Sequence, residues 1–366
     1  MLADVLIVGA GPAGTSTALS LLRQGITVAI VASNREPVSI PVDVLSPELK
    51  AEFASLGIQS ETWTHLGVAC HGIDAAWGGT LPVSYSFLQH PYGDGVAIGR
   101  SELHRLLLRC AIDGGALHHT ARFVGAESMT NDWQVRLQRG ETTEQVQCRV
   151  LVDATGRASV ISRYMGARFR CYDTLCGVGG LLDNCKHDRV LSVISTTHGW
   201  WYSAPAPDGR TLVCFLSDAD VLRRIGATQP DVWTTLFRPI ARALSSSVPL
   251  PHGFTLAVYP CESAVLKAMG TAWIAVGDAA ARFDPLAARG VHHAIRSGRT
   301  ATDAIVGYLR GNTRALIDFA SAELTAFAAY MRGRQHQYGL ERRFSQHAFW
   351  SRRTATDGRL RKVFKA

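Results

Sequence analysis

The feature that most narrows the fold is the run Gly9-Ala10-Gly11-Pro12-Ala13-Gly14, set between an apolar segment and a helical pattern. Asp4-Val5-Leu6-Ile7-Val8 reads as a short buried parallel strand. Thr15 to Gln24 reads as a helix with Ala18, Leu19, Leu21 and Leu22 on its apolar face, stopped by Gly25. Ile26 to Val31 is a second strand, so the segment predicts a βαβ unit. Each glycine then has its own role. Gly9 permits the tight turn, Gly11 lets backbone approach a pyrophosphate, and Gly14 lets helix pack on strand. The positive end of the helix faces the phosphates. The segment predicts a dinucleotide site that includes Pro12 and Ala13 of the same turn. An acid that would hold the adenosine ribose is expected about 20 residues on. Ala32 stands there, followed by Ser33 and Asn34, and Ser33 or Asn34 is the candidate for a weaker hydrogen bond.

Downstream, Ser101 to Ala111 has a helical pattern, and Trp133 to Leu137 with Gln145 to Val152 alternate like hairpin strands. Leu175 to Val265 is mostly strand-like: Val190 to Thr196, Trp200 to Ser203 and Thr211 to Leu216, with a turn at Pro205 to Gly209 and a helix around Val232 to Leu244. Ala272 to Val276 is a buried strand ending in Gly277-Asp278, and helices are expected from about Val291 and over Thr302 to Tyr330. A strand that ends in Gly-Asp places a carboxylate beside a ribityl chain, and the next helix N-terminus suits the edge of a flavin where negative charge develops on reduction.

These motifs resemble the para-hydroxybenzoate-hydroxylase-like flavoproteins, which include flavin-dependent halogenases and geranylgeranyl reductases. Five segments carry the resemblance: the N-terminal glycines, Gly99-Arg100-Ser101-Glu102-Leu103-His104, Val152-Asp153-Ala154-Thr155-Gly156-Arg157, Gly199 to Pro205, and Gly277-Asp278 with Pro285 and Gly290. The resemblance implies FAD as cofactor, Arg100 against it, and Asp278 on its ribityl chain. Within the group, Gly199 to Ala204, Phe283 to Leu286 and Tyr338 to Arg353 look most like the flavoprotein maturases of quinone-cofactor amine and amino-acid oxidases. The fold expected is α/β: an FAD-binding Rossmann-like domain of glutathione-reductase type, with an inserted, mainly antiparallel sheet lobe for substrate and a helical C-terminus. Residues 1–80, 95–165 and 266–310 are assigned to the FAD-binding domain. Residues 81–94 and 166–265 are assigned to the sheet lobe, and 311–366 to a basic helical segment.

Halogenases resemble one another in a Trp-x-Trp-x-Ile-Pro element and an active-site lysine. Here the element reads Trp200-Trp201-Tyr202-Ser203-Ala204-Pro205, and no lysine occurs from Ala51 to Cys185. The expected chemistry is therefore oxygen activation by reduced flavin and oxygen transfer to an electron-rich ring, such as a tryptophan of a client oxidase. A small-molecule hydroxylase, a prenyl double-bond reductase and a non-catalytic assembly factor stay open as alternatives. His71 and His293 are candidate acid–base groups because histidine titrates near neutral pH. Trp200, Trp201 and Tyr202 are expected to wall a substrate cavity. Thr155-Gly156 stands where related hydroxylases have Asp-Gly, which implies a separate flavin reductase as electron donor.

Composition limits the remaining partners. The net charge of +8 matches the balance of Tyr330 to Ala366 alone, where eight Arg and two Lys face Glu341 and Asp357. A basic tail of this kind suits docking of an acidic client. No nucleic-acid partner, metal site or membrane span is expected. The scattered cysteines form no CxxC pair, which fits free thiols and a cytoplasmic location.

Overall fold

The computed structural model describes residues 3–33, 40–79, 81–183, 189–243, 256–266, 270 and 272–354. At its centre lies a five-stranded, all-parallel sheet in the order Trp273–Ala275, Val150–Asp153, Val5–Val8, Val28–Ala32, Leu117–Thr120. Val5 and Ile7 enter one core and Leu6 and Val8 the other. That division follows from the two-residue period of a strand, and apolarity on both faces is the pattern of a covered parallel sheet. Helices Pro12–Arg23, Arg100–Asp113 and Gly290–Leu309 supply one core. A three-stranded antiparallel sheet of Arg122–Ser128, Trp133–Arg139 and Thr142–Cys148 closes the other.

A seven-stranded sheet stands beside this layer, in the order Ala257–Pro260, Leu175–Leu182, Thr211–Asp218, Gly199–Pro205, Leu191–Thr196, Gly72–Ala76, Val83–Ser86. All its pairings are antiparallel except that of Gly72–Ala76 with Leu191–Thr196. The hairpin turn expected at Pro205 to Gly209 forms as read: Gly209 takes φ +82°, and the Asp208 carboxylate accepts from the Arg210 N–H. Helix Pro230–Ala243 seals one face, with Trp233 and Phe237 on Trp201. The C-terminal residues Tyr338, Phe349 and Trp350 cover the other face.

The structure departs from the sequence-based expectation at four places. The single strand read over Gln145 to Val152 is two strands in different sheets, Thr142–Cys148 and Val150–Asp153. The chain crosses between them at Arg149, where the N–H groups of Arg149 and Val150 both donate to Asp4 O. The helical stretch over Thr302 to Tyr330 is broken into Gly290–Leu309 and Ala315–Leu340, with Gly311 at φ +101° between them. Gly72–Ala76, which falls inside 1–80, pairs in the seven-stranded sheet rather than the parallel one. Among the described residues, finally, four arginines of the basic tail are not free charges. Arg334 is bound to Asp173 and Asp284, Arg343 to Glu341, and Arg352 and Arg353 to Asp218. Arg359, Arg361, Lys362 and Lys365 lie outside the described residues.

The tightest helix contact places Gly298 on the first helix. A Cβ at Gly298 would stand 2.2 Å from Ser16 Oγ and 2.5 Å from Ala13 O. Helix propensity favours alanine over glycine by about 1 kcal/mol, but a clash with backbone oxygen has no cheap relief. Gly298→Ala is therefore expected to lower stability by about 2 kcal/mol, read as a fall in the urea midpoint. An unchanged or raised midpoint would refute the close approach.

Candidate functional site

Two motifs far apart in sequence meet at the mouth of the parallel sheet. Gly9 and Gly14 serve packing. Gly9 has φ +115°, and a Cβ there would lie 2.1 Å from Ala154 O; one at Gly14 would lie 2.1 Å from Gly9 O. Gly11 differs, since its Cβ would meet only His104 Cε1, at 4.0 Å. Gly11 is the N-cap of helix Pro12–Arg23, Pro12 is its first residue, and no side chain caps that end. The helix N-terminus thus keeps orphan N–H donors beside open room. Gly277, at φ +58°, rests on this turn so closely that a Cβ would fall 2.7 Å from Ala13 Cβ. Its N–H donates to Ser297 Oγ at 3.1 Å, which ties the Gly277-Asp278 turn to the Gly290–Leu309 helix.

Arg100 opens its helix directly after strand Gly95–Gly99. Its guanidinium grips Asp43 in a fork, Nε to Oδ2 at 2.9 Å and Nη2 to Oδ1 at 2.5 Å. Burial works against its charge, but the Asp43 carboxylate more than offsets this, and Asp278 and Tyr202 add to it. The proton of Arg100 is therefore held above the ordinary arginine range. The same surroundings push the Tyr202 phenol well above its usual value, through burial first and Asp43 second. Arg100 thus stands within electrostatic reach of both Asp278 and Tyr202, the three coming from separate segments of sequence.

Asp278 is backed by a second ionic group. Arg157 Nε lies 3.7 Å from Asp278 Oδ2, while Arg157 and Arg282 share Glu262 at 2.7 and 2.8 Å. Arg282 also donates to Arg157 O and Ser159 Oγ. Below this, Asp284 caps the turn Pro285–Ala287 by accepting from the Leu286 N–H at 2.9 Å. Its other oxygen accepts from Tyr338 Oη at 2.7 Å and Arg334 Nε at 3.1 Å. Gly290 starts the following helix with open space around it.

The remaining candidates are placed less uniformly. Ser33 is exposed at the end of strand Val28–Ala32, and Asn34 lies outside the described residues. His71 is half-exposed and pairs with Asp94 at 3.0 Å. His293 is buried against Phe283, with Nε2 facing Glu323 Oε2 at 3.8 Å. The expectation of a cavity wall from Trp200, Trp201 and Tyr202 divides by strand alternation. Trp200 and Trp201 are fully packed on opposite faces of the sheet, at 0% and 2% exposure. They belong to two cores, and only Tyr202 stands near Arg100. Sequence reasoning missed Asp43, Glu262, Arg282, Glu323 and Gly298. A lone acid in the apolar run Val42-Asp43-Val44-Leu45, and a glycine inside a helix, were the available signals. No group of three or more metal-ligating side chains occurs among the described residues.

This is the architecture of a dinucleotide-binding flavoprotein: a glycine turn with a bare helix N-terminus, and a Gly-Asp turn docked against it. The chain belongs to the FAD-binding domain family, whose pattern matches residues 2–334, and its cofactor is FAD. It is 26% identical over 367 residues to LodB of Marinomonas mediterranea, named an FAD-dependent oxidoreductase, spanning 96% of this chain and 97% of LodB. It is 29% identical over 328 residues to the menaquinone reductase of Mycobacterium tuberculosis, spanning 82% and 76% of the two chains. Among solved structures it is similar to the myxobacterial chondrochloren halogenase CndH, with TM-score 0.84, 20% identity and coverage of 99% and 89%. It is also similar to the peptidyl tryptophan dihydroxylase QhpG, with TM-score 0.80, 21% identity and coverage of 98% and 80%. The chain is an FAD-dependent oxidoreductase. No described helix is long and apolar enough to cross a membrane.

The open space at Gly11 separates binding from folding. Gly11→Val is expected to fold and melt like the parent, yet to lose FAD, because its side chain fills room that only the pyrophosphate would occupy. Retention of the parent FAD affinity by a folded variant would place the cofactor elsewhere.

Proposed function

We propose that this protein is an FAD-dependent monooxygenase that adds oxygen to an aromatic ring, and that the ring is a tryptophan side chain of a client oxidase maturing its quinone cofactor. FAD, when bound, supplies the electrons and the oxygen chemistry. The residues that would hold it are Gly9, Gly11, Pro12, Ala13 and Gly14 at the pyrophosphate, Ser33 toward the adenosine ribose, and Arg100, Asp278, Pro285 and Gly290 toward the flavin end.

The observation that carries the reading is the group Arg100, Asp43, Tyr202 and Asp278. Arg100 brings a fixed positive charge that Asp43 orients through two hydrogen bonds. Tyr202 brings a phenol that keeps its proton at any physiological pH. A cation and a protonated hydroxyl within electrostatic reach of each other can hold an electron-rich ring and donate a hydrogen bond to an oxygen that develops charge. Trp200, buried on the same face of the sheet as Tyr202, excludes water from that side. His71, paired with Asp94 at the surface, is left as the acid–base group reached from outside.

The choice of a polypeptide substrate is supported by the fold shared with the peptidyl tryptophan dihydroxylase QhpG. The absence of lysine from Ala51 to Cys185 argues against halide transfer. Because four tail arginines are bound internally, a client would be held by other surfaces or by the residues beyond Thr354. Thr155-Gly156 is read as leaving no direct NADPH contact, so a separate flavin reductase would supply electrons.

Two measurements test this. Incubation with a precursor oxidase from the same gene neighbourhood, a reductant and O₂ is expected to add one or two oxygens to a client tryptophan, read by mass spectrometry. Efficient hydroxylation of free aromatic metabolites with no change in the client would replace the reading with a small-molecule hydroxylase. Reduction of a menaquinone side chain without O₂ would favour the double-bond reductase. In stopped flow, NADPH alone is expected to bleach the flavin slowly, and rapid bleaching would remove the need for a reductase.

A further inference from the structure

A pair of buried ionisable groups lies directly behind the Gly277-Asp278 turn. His293 and Glu323 come from the two consecutive helices Gly290–Leu309 and Ala315–Leu340, and their side chains are 12% and 11% exposed. Nε2 of one faces Oε2 of the other at 3.8 Å, and neither atom has another hydrogen-bond partner. The pair adjoins the turn through the Gly290–Leu309 helix. Ala294, next to His293, lies 3.6 Å from where a Cβ of Gly277 would stand, and Ser297 Oγ, one turn on, accepts the Gly277 N–H at 3.1 Å. Two ionisable groups in such a place are expensive unless they stay neutral or hold a proton between them.

We propose that His293 and Glu323 are positioning residues that act as one proton-holding unit under the flavin turn, and that loss of their proton weakens the binding of FAD. The inference rests on the reading that FAD lies on Gly277-Asp278. The physical basis is charge. FAD carries a negatively charged pyrophosphate, and the turn already presents Asp278. While Glu323 keeps its proton and His293 is neutral, the pair adds no charge. Once the proton leaves, a buried carboxylate stands behind the same turn and repels the cofactor through a medium of low dielectric.

The neighbouring charges fix the direction. Burial lowers His293 to about 4, with Arg296 and His292 pushing the same way, so it is neutral near physiological pH. Burial raises Glu323 to about 7, and Ser297 and Arg296 only partly oppose this. The other charged groups on elements packed here are Asp278 and Arg282 after the turn and Glu52, which pairs with His292 and Arg299. Tyr330 packs on Phe283 and holds its own proton because burial and Asp284 raise it. Within the pair, Glu323 is therefore the group that changes charge as pH rises from 6 to 8. Since FAD prefers the protonated pair, affinity is full below about pH 7 and falls above it. It levels off once Glu323 has ionised in the complex too.

The test is titration of apoprotein with FAD, followed by quenching of flavin fluorescence, from pH 6 to 9. The parent is expected to lose affinity by about tenfold across this range, the factor that corresponds to FAD raising the midpoint of Glu323 by one pH unit. Glu323→Gln cannot ionise and is expected to bind FAD with little dependence on pH. Ser297→Ala removes a hydrogen bond that favours the carboxylate, so its fall in affinity is expected at higher pH than in the parent. A parent profile flat from pH 6 to 9, or an equal slope in Glu323→Gln, would overturn the proposal while leaving the FAD site intact. Failure of the parent to bind FAD at any pH would instead overturn the site.

Discussion

The close approach of two helices at Gly298 is the contact on which the rest of the site depends. Gly298 sits over Ala13, Ser16 and Thr17, so the Gly290–Leu309 helix lies against the helix that follows the glycine turn. The small residues on both sides set that distance. Because the distance is short, Gly277 can rest on Ala13 and Asp278 can reach the region of Arg100. A bulkier residue at either position would push the C-terminal half of the site away from the N-terminal half. The apolar burial beneath, from Ile295, Ala301 and Ile305, supplies the favourable free energy that holds the contact.

The sheet lobe is coupled to this centre by a buried polar chain rather than by apolar packing alone. Trp200 Nε1 donates to Tyr338 Oη at 3.1 Å, and Tyr338 donates to Asp284 at 2.7 Å. Arg334 then joins Asp284 to Asp173, all three being nearly inaccessible. Taking such ions from water is costly, and the chain is tolerable because nearly every lone pair has a donor. Its geometry explains why Trp200 is no cavity wall: its ring N–H is committed to Tyr338, and its faces to Trp77 and the C-terminal aromatics.

Much of the fold was legible because its signals are local. The strand Val5–Val8, the glycine turn, the hairpin at Asp208-Gly209 and the strand before Gly277 each follow from a few adjacent residues. Motif resemblance implied that Arg100 and Asp278 both face the cofactor, and the structure sets the two within electrostatic reach. The pairing of Asp43 with Arg100 was not legible, because nothing local tells a buried acid which distant cation it meets. Nor did the pattern of Gln145 to Val152 reveal that the chain leaves one sheet for another at Arg149. Val146, Cys148, Val150 and Val152 keep one two-residue period across the break, so periodicity alone sees one element. Gly72–Ala76 shows the same limit, since a five-residue strand carries no mark of the sheet it joins.

The tail shows how net charge misleads when partners are remote in sequence. Eight arginines between Tyr330 and Ala366 suggest an exposed basic surface. Yet the carboxylates that meet four of them come from residues 173, 218, 220, 284 and 341, spread over nearly half the chain. Glu341 makes the point most clearly. Burial opposes its charge, but Arg343, Ser195 and the Gly78 N–H outweigh this and hold it at about 2. A carboxylate lowered in the folded state stabilises it above the ordinary value of 4.5, and that contribution disappears as pH falls from there toward 2. Through the neutral range the clamp on Gly78 and Ser195 is therefore fully formed. Arg353, at 2% side-chain exposure on Asp218, sits under Phe349 in the same way. The C-terminal segment up to Thr354 thus packs Tyr338, Phe349 and Trp350 on the sheet lobe, and Arg334, Arg343, Arg352 and Arg353 neutralise carboxylates there.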